Sequence, residues 1–143
     1  MKTAVVLVLA ACFVAAAMSV GGIHRTHSTR ESFNEWRQCM VGKLPANKTS
    51  VYEGCHNSSR GTDMRKFREG LVCVLDSYNL VERNNVNLTR MRELAQNIQE
   101  PELKTAFEDC PKEERNNKLA RTVKCVIDSL ETSCPLPSDA PRE

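Results

Sequence analysis

Histidine is scarce in this chain. Only His24, His27 and His56 occur among 143 residues. Two stand in a polar stretch near the amino terminus and the third stands beside Cys55 and Asn57. None follows an apolar helical face that would hold an imidazole rigidly, as a nucleophilic triad or a histidine metal site requires. The sequence therefore gives no catalytic residue, no metal ligand set and no cofactor motif, and the chain reads as a protein that is not an enzyme. Close cysteine pairs of the C-x₂₋₄-C kind are missing too, which excludes the common zinc modules. No block of like charge appears. Lysine and arginine total 20 against 18 acidic residues, so the basic stripe of a nucleic-acid binder is absent. Alternating apolar and polar residues never persist, which excludes an extended sheet. Aromatics are few: one tryptophan, two tyrosines and four phenylalanines. After residue 17 no apolar run approaches the roughly 20 residues of a membrane span.

What is present begins with Lys2 and the apolar run from Ala4 to Ala17, a short core followed by small residues. That is the pattern of a cleavable secretion signal, with cleavage expected after Ser19 and Cys12 leaving with it. The expected organisation is a signal over 1–19, a flexible arm over 20–28, one helical domain over 29–134 and a proline-rich tail over 135–143. A mature chain of about 120 residues makes one secreted, extracellular domain. Asn47-Lys48-Thr49, Asn57-Ser58-Ser59 and Asn87-Leu88-Thr89 are glycosylation sequons, so Asn47, Asn57 and Asn87 are expected on the surface.

Helical periodicity recurs along the domain. Ser28 to Glu31 forms a capping box, and Phe33, Trp36 and Met40 follow at helical spacing, predicting a helix over 29–41 that Gly42 and Pro45 end. Ser50 to Glu53 repeats the box and predicts a short helix over 50–56. Thr62 or Asp63 caps a longer helix over 63–79. Asn87 caps the next, with Leu88, Met91, Leu94 and Ile98 on one stripe. Pro101 opens a helix that Pro111 stops. The last helix is predicted over 114–131, carrying Leu119, Val123, Val126, Ile127 and Leu130. The charged residues Arg90, Arg92 and Glu93 read as a solvated face.

Cys39, Cys55, Cys73, Cys110, Cys125 and Cys134 remain after signal removal. An even count in a secreted domain implies three disulfides, for which 15 connectivities exist. Bridges of this kind pin helix to helix, and helices held from outside need not fill their interior. The expected fold is all-α, with about six short helices cross-linked by three disulfides, and periodicity alone does not separate an ordinary core from an apolar cavity at their centre.

The gaps of 36, 14 and eight residues separating Cys73, Cys110, Cys125 and Cys134 carry a resemblance. With Gly70-Leu71-Val72-Cys73, Phe107-Glu108-Asp109-Cys110-Pro111 and Lys124-Cys125-Val126, this part resembles the arthropod odorant-binding protein family, and divergent odorant-binding-like proteins of the tick and chelicerate type most. One departure stands out: Glu69 occupies the place of the family's usual second cysteine, and Cys55 lies well upstream. The resemblance implies the pairs Cys39–Cys73, Cys55–Cys125 and Cys110–Cys134. It also implies a carrier that sequesters a small hydrophobic ligand, such as an odorant, a pheromone, a fatty acid or a lipid mediator, in an internal cavity. Phe67, Leu71, Val74, Met91, Leu94, Phe107, Val123, Ile127 and Leu130 would then line that cavity, with Tyr78 offering a hydroxyl. For an amine ligand, Glu69 and Asp76 are the carboxylates to test. The rival expectation is a salivary or haemolymph interaction or defence protein that acts through its surface without a small ligand.

Overall fold

The computed structural model describes residues 30–136. The signal, the arm, the Ser28 cap and the tail beyond Leu136 lie outside the described residues. Six helices carry the fold. They are α1 (30–41), α2 (Ala46–Ser58), α3 (Asp63–Ser77), α4 (Leu88–Ala95), α5 (Pro101–Asp109) and α6 (Leu119–Leu130). The all-α expectation holds, with three disulfides as the even cysteine count implies.

Local chemistry explains most boundaries. The Thr62 hydroxyl accepts from the Arg65 backbone N–H and the Asn87 carboxamide oxygen from that of Arg90, so both expected caps are used. Pro101 occupies the first turn of α5. Asn79 takes a left-handed conformation (φ 58°) just past α3, where a short polar side chain suits a helix stop.

Three boundaries differ from the sequence reading. First, α2 starts at Ala46 rather than Ser50. The Pro45 carbonyl accepts from Lys48 and Thr49, so the proline that ends α1's turn also opens α2, and Ser50 lies inside the helix. Second, α6 starts at Leu119 and not at 114. Residues 112–118 carry no apolar side chain to bury, and they pair instead with a small hairpin. Third, that hairpin was not expected. Strands β1 (Val81–Glu82) and β2 (Asn85–Val86) join through a two-residue turn with Arg83 at φ 60°. Two-residue strands are too short to show alternation. The Val86 N–H donates to the Asn117 carbonyl (2.8 Å) and the Leu119 N–H to that of Asn84 (2.9 Å), so the hairpin anchors the loop before α6.

The disulfide pairing implied by the resemblance is overturned. The bridges are Cys39–Cys134, Cys55–Cys73 and Cys110–Cys125, not Cys39–Cys73, Cys55–Cys125 and Cys110–Cys134. The cause is the displaced second cysteine. Because Cys55 sits on α2 rather than on α3, the antiparallel packing of α2 on α3 brings it to Cys73, with a Cα–Cα distance of 6.4 Å. Cys110 and Cys125 meet across the α5–α6 pair, and Cys134, just past α6, closes on α1.

The α2–α3 contact is close. Gly70 lies directly beneath the Tyr52 ring, and a Cβ there would fall 2.5 Å from Tyr52 Cε2. Tyr52 is fully buried and packs edge-on to Phe67, which meets Trp36, which in turn meets Phe33. This aromatic row welds α1, α2 and α3. Trp36 packs α1, as its place on that helix's apolar face suggests.

Candidate functional site

A cavity was expected among the apolar helix faces. Phe67, Leu71, Val74, Met91, Phe107, Val123, Ile127 and Leu130 are all buried and do converge on one core. Where four of them meet, little space is left between them. The void lined by Leu71, Val74, Phe107 and Val123, with Leu44, Leu75, Leu103 and Val126 around it, is about 10 Å³. That is at the lower limit for a single water molecule, whereas small-molecule sites run to roughly 300–1,000 Å³. Met40, Tyr52, Leu80, Val86 and Leu103, which the sequence did not single out as ligand neighbours, fill the remaining space.

Tyr78 and Leu94 are the two expected ligand residues that stay partly exposed. They share a groove of about 460 Å³ with Leu44, Pro45, Asn47 and Ile98, between the α1–α2 turn and the end of α4. The Lys48 ammonium sits 4.1 Å above the Tyr78 ring and Phe107 meets that ring edge-on. Burial pushes the Tyr78 phenol above its ordinary value.

Three further concave features gather around α6. Grooves of about 600, 350 and 470 Å³ each have Lys124 on their wall. The first runs from the Pro111–Asn116 loop past Arg121 to Thr132. The second lies between α3 and α6 over Val72, Leu119 and Val123. The third lies over Met64, Ile127 and Leu136. Lys124 pairs with Asp128 on the same helix (3.2 Å), and Arg121 donates to the Asn116 carboxamide oxygen at 3.1 and 3.3 Å once that amide is turned to face it. None of these polar residues stood out in the sequence, because a charge at helical spacing reads as solvated wherever it falls. Only the contrast with the strongly apolar opposite side of α6 marks the helix as amphipathic.

Of the two carboxylates considered for an amine, Glu69 is already satisfied by the Ser59 hydroxyl (3.0 Å) and Arg65 (3.2 Å), and Asp76 is exposed on α3. His56 stacks on Tyr52, and its Nδ1 lies 3.4 Å from the Asn57 carboxamide oxygen. Arg92 is not a solvated residue as read from sequence. Its Nη1 donates to the Phe107 carbonyl (2.8 Å) and to the Cys110 carbonyl (2.6 Å), closing the end of α5. Near the α5 start, Lys43 lies between Glu100 (3.4 Å) and Glu102 (3.5 Å). Glu102 is held down to about 2, first by a hydrogen bond with the Glu100 carboxyl and then by a backbone N–H, with Ser133 and Lys43 adding to it and burial opposing.

Burial drives the Tyr52 phenol far above its ordinary value. The Arg37 cation pulls the other way without reaching hydrogen-bonding geometry, and the Tyr52 hydroxyl and Trp36 Nε1 lack partners among the described residues. Among the described residues no cluster of three or more histidine, cysteine or acidic side chains is placed to hold a metal ion, and no helix is long and apolar enough to cross a membrane. Comparisons with protein-family models, with curated proteins and with solved structures find no match for this chain.

Proposed function

We propose that this protein is a secreted, non-catalytic binding module that engages a macromolecular partner through the outer face of α6. The observation that carries this reading is the filled core: where a carrier would keep its ligand, the void is about 10 Å³. Open concave surface is concentrated instead on both flanks of Lys124. The secretory part is supported by the signal-like first 19 residues and by three disulfides, which persist in oxidising compartments. An odorant-binding carrier would need a hollow interior, and the resemblance that suggests one implies a pairing different from the bridges found.

Titration with a neutral fluorescent probe, with fatty acids and volatile organics as competitors, tests the choice. The surface reading expects no displaceable one-to-one probe site in the core. Leu71→Trp is expected to overpack the core at a cost of about 1–3 kcal/mol. A displaceable site that disappears in Leu71→Trp while the fold survives refutes it. A photoreactive side chain at Lys124 is expected to cross-link the partner, whereas one at Asp76 is not.

A further inference from the structure

We propose that an N-linked glycan on Asn47 occupies the groove beside Tyr78 and Leu94, turning this depression of the surface into a covered face. Three observations meet here. Asn47 heads a sequon, is exposed on the first turn of α2, and itself forms part of the groove wall. Its carboxamide makes no hydrogen bond among the described residues. The floor beneath it is Leu44, Pro45, Leu94 and Ile98, an apolar surface that the acetyl methyl and C–H faces of an N-acetylglucosamine can cover. A volume of about 460 Å³ leaves room for the first sugars.

The three sequons are not equivalent. The Asn87 side chain is committed on both atoms, its oxygen to the Arg90 N–H (3.1 Å) and its Nδ2 to Glu82 (3.0 Å). Asn57 ends α2 away from any groove described above. None of the three asparagines lies on the walls of the grooves that meet at Lys124. A glycan at Asn47 therefore closes the Tyr78 groove and leaves the α6 face bare, so the inference rests on the secretory part of the proposed function.

The chemistry needs a lipid-diphosphate-linked oligosaccharide as donor. The Asn47 amide nitrogen attacks its C1, the new C–N bond replaces the C–O bond, the lipid diphosphate leaves with the electron pair, and the amide proton passes to base. The test uses the full chain secreted from a eukaryotic host, beside Asn47→Gln and Asn57→Gln. Peptide masses report occupancy, and hydroxyl-radical labelling reports the accessibility of Tyr78 and Leu94. We expect Asn47 to be occupied and both residues to be labelled severalfold more slowly than in Asn47→Gln, with Asn57→Gln unchanged from the parent. Equal labelling with Asn47 occupied overturns the inference. So does a bare Asn47, and a glycan at Asn57 or Asn87 in that case leaves secretion intact. Retention of the chain inside the cell sinks the inference and the secretory reading together.

Discussion

Two glycines inside helices should respond to alanine with opposite signs. Gly54 lies in α2 with nothing within 4 Å of the position a Cβ would take. There alanine adds no contact and only limits the unfolded chain, so a stabilisation of about 0.5–1 kcal/mol is expected. Gly70 lies in α3 under Tyr52. Its Cβ would fall 2.5 and 2.6 Å from Cε2 and Cδ2 and 3.3 Å from Cζ of that ring. The ring cannot swing away, because Tyr52 is fully buried, Phe67 stands against it, and Cys55–Cys73 ties the two helices beside it. Relief must come from moving α2 off α3. Overpacking of this kind costs up to about 3 kcal/mol, and the helix preference of alanine over glycine returns about 1, leaving a net loss near 2 kcal/mol. For a domain of this size that is a fall in Tm of roughly 8–9 °C. Thermal unfolding followed by circular dichroism, with urea titration as a second measure, reads both variants. The companion Tyr52→Leu should remove most of the Gly70→Ala penalty, so the double-mutant cycle should show strong coupling. If Gly70→Ala is as stable as the parent, the close approach of these helices is wrong, and so is the aromatic row built on it.

Other consequences are as direct. Sequence separations of 95, 18 and 15 residues predict that losing Cys39–Cys134 to paired serines costs about 4–5 kcal/mol and losing either of the other bridges about 3. Denaturant titration of the three double variants checks the order, and equal losses would contradict the loop-entropy account. Arg92→Met removes two charge-assisted hydrogen bonds from the end of α5 and should cost about 2–3 kcal/mol, with Arg92→Lys recovering only part of it. Glu102 has its pKa lowered from the ordinary 4.5 to about 2. A lowered folded-state value means that its contribution is complete above about 4.5 and fades as the pH falls toward 2. Glu102→Gln should therefore flatten the stability profile across that window and lower stability most at neutral pH, the variant and the parent converging as the pH approaches 2.

Where a helix boundary depends on a single side chain and its own backbone, the sequence reveals it. Thr62, Asn87 and Pro101 act where their chemistry says. The same holds for the apolar stripes of α3 and α6, whose period alone identifies Leu71, Val74, Val123 and Ile127 as inward-facing. What periodicity cannot reveal is the partner across the contact. Arg92 and Arg90 have the same local setting, yet one closes the end of α5 and the other caps the Tyr78 carbonyl (3.1 Å). Pro45 was readable as a stop and not as a start, because a proline that ends one helix and opens the next looks the same from either side. Residues 114–118 fall inside the helix that the sequence predicts over 114–131, because no proline or glycine separates them from the apolar stripe that begins at Leu119. Lacking an apolar face, they took their hydrogen bonds from β2.

The absent chamber follows from where the cysteines are. Two of the bridges, Cys55–Cys73 and Cys110–Cys125, tie helices that are neighbours in the chain and already packed together. Such staples tighten a pair and do nothing to hold one pair away from another. Only Cys39–Cys134 spans the domain, and it joins the two ends of the helical region rather than bracing its middle. With no covalent brace between the α2–α3 pair and the α5–α6 pair, nothing opposes the gain of about 25 cal/mol for each Å² of apolar surface withdrawn from water. The pairs close on one another until Leu71, Val74, Phe107 and Val123 meet. A cross-link between the α2–α3 pair and α6, of the kind the Cys55–Cys125 expectation supposed from the α2 side, is what a hollow version of this chain would require. Moving the second cysteine from position 55 to position 69, as Cys55→Ser with Glu69→Cys, sets it on α3, the helix that shares a groove with α6. If that variant gained a displaceable probe site, the pairing and not the apolar sequence would be the determinant of the filled core. If it remained as solid as the parent, the volumes of the core side chains alone would be sufficient to close it.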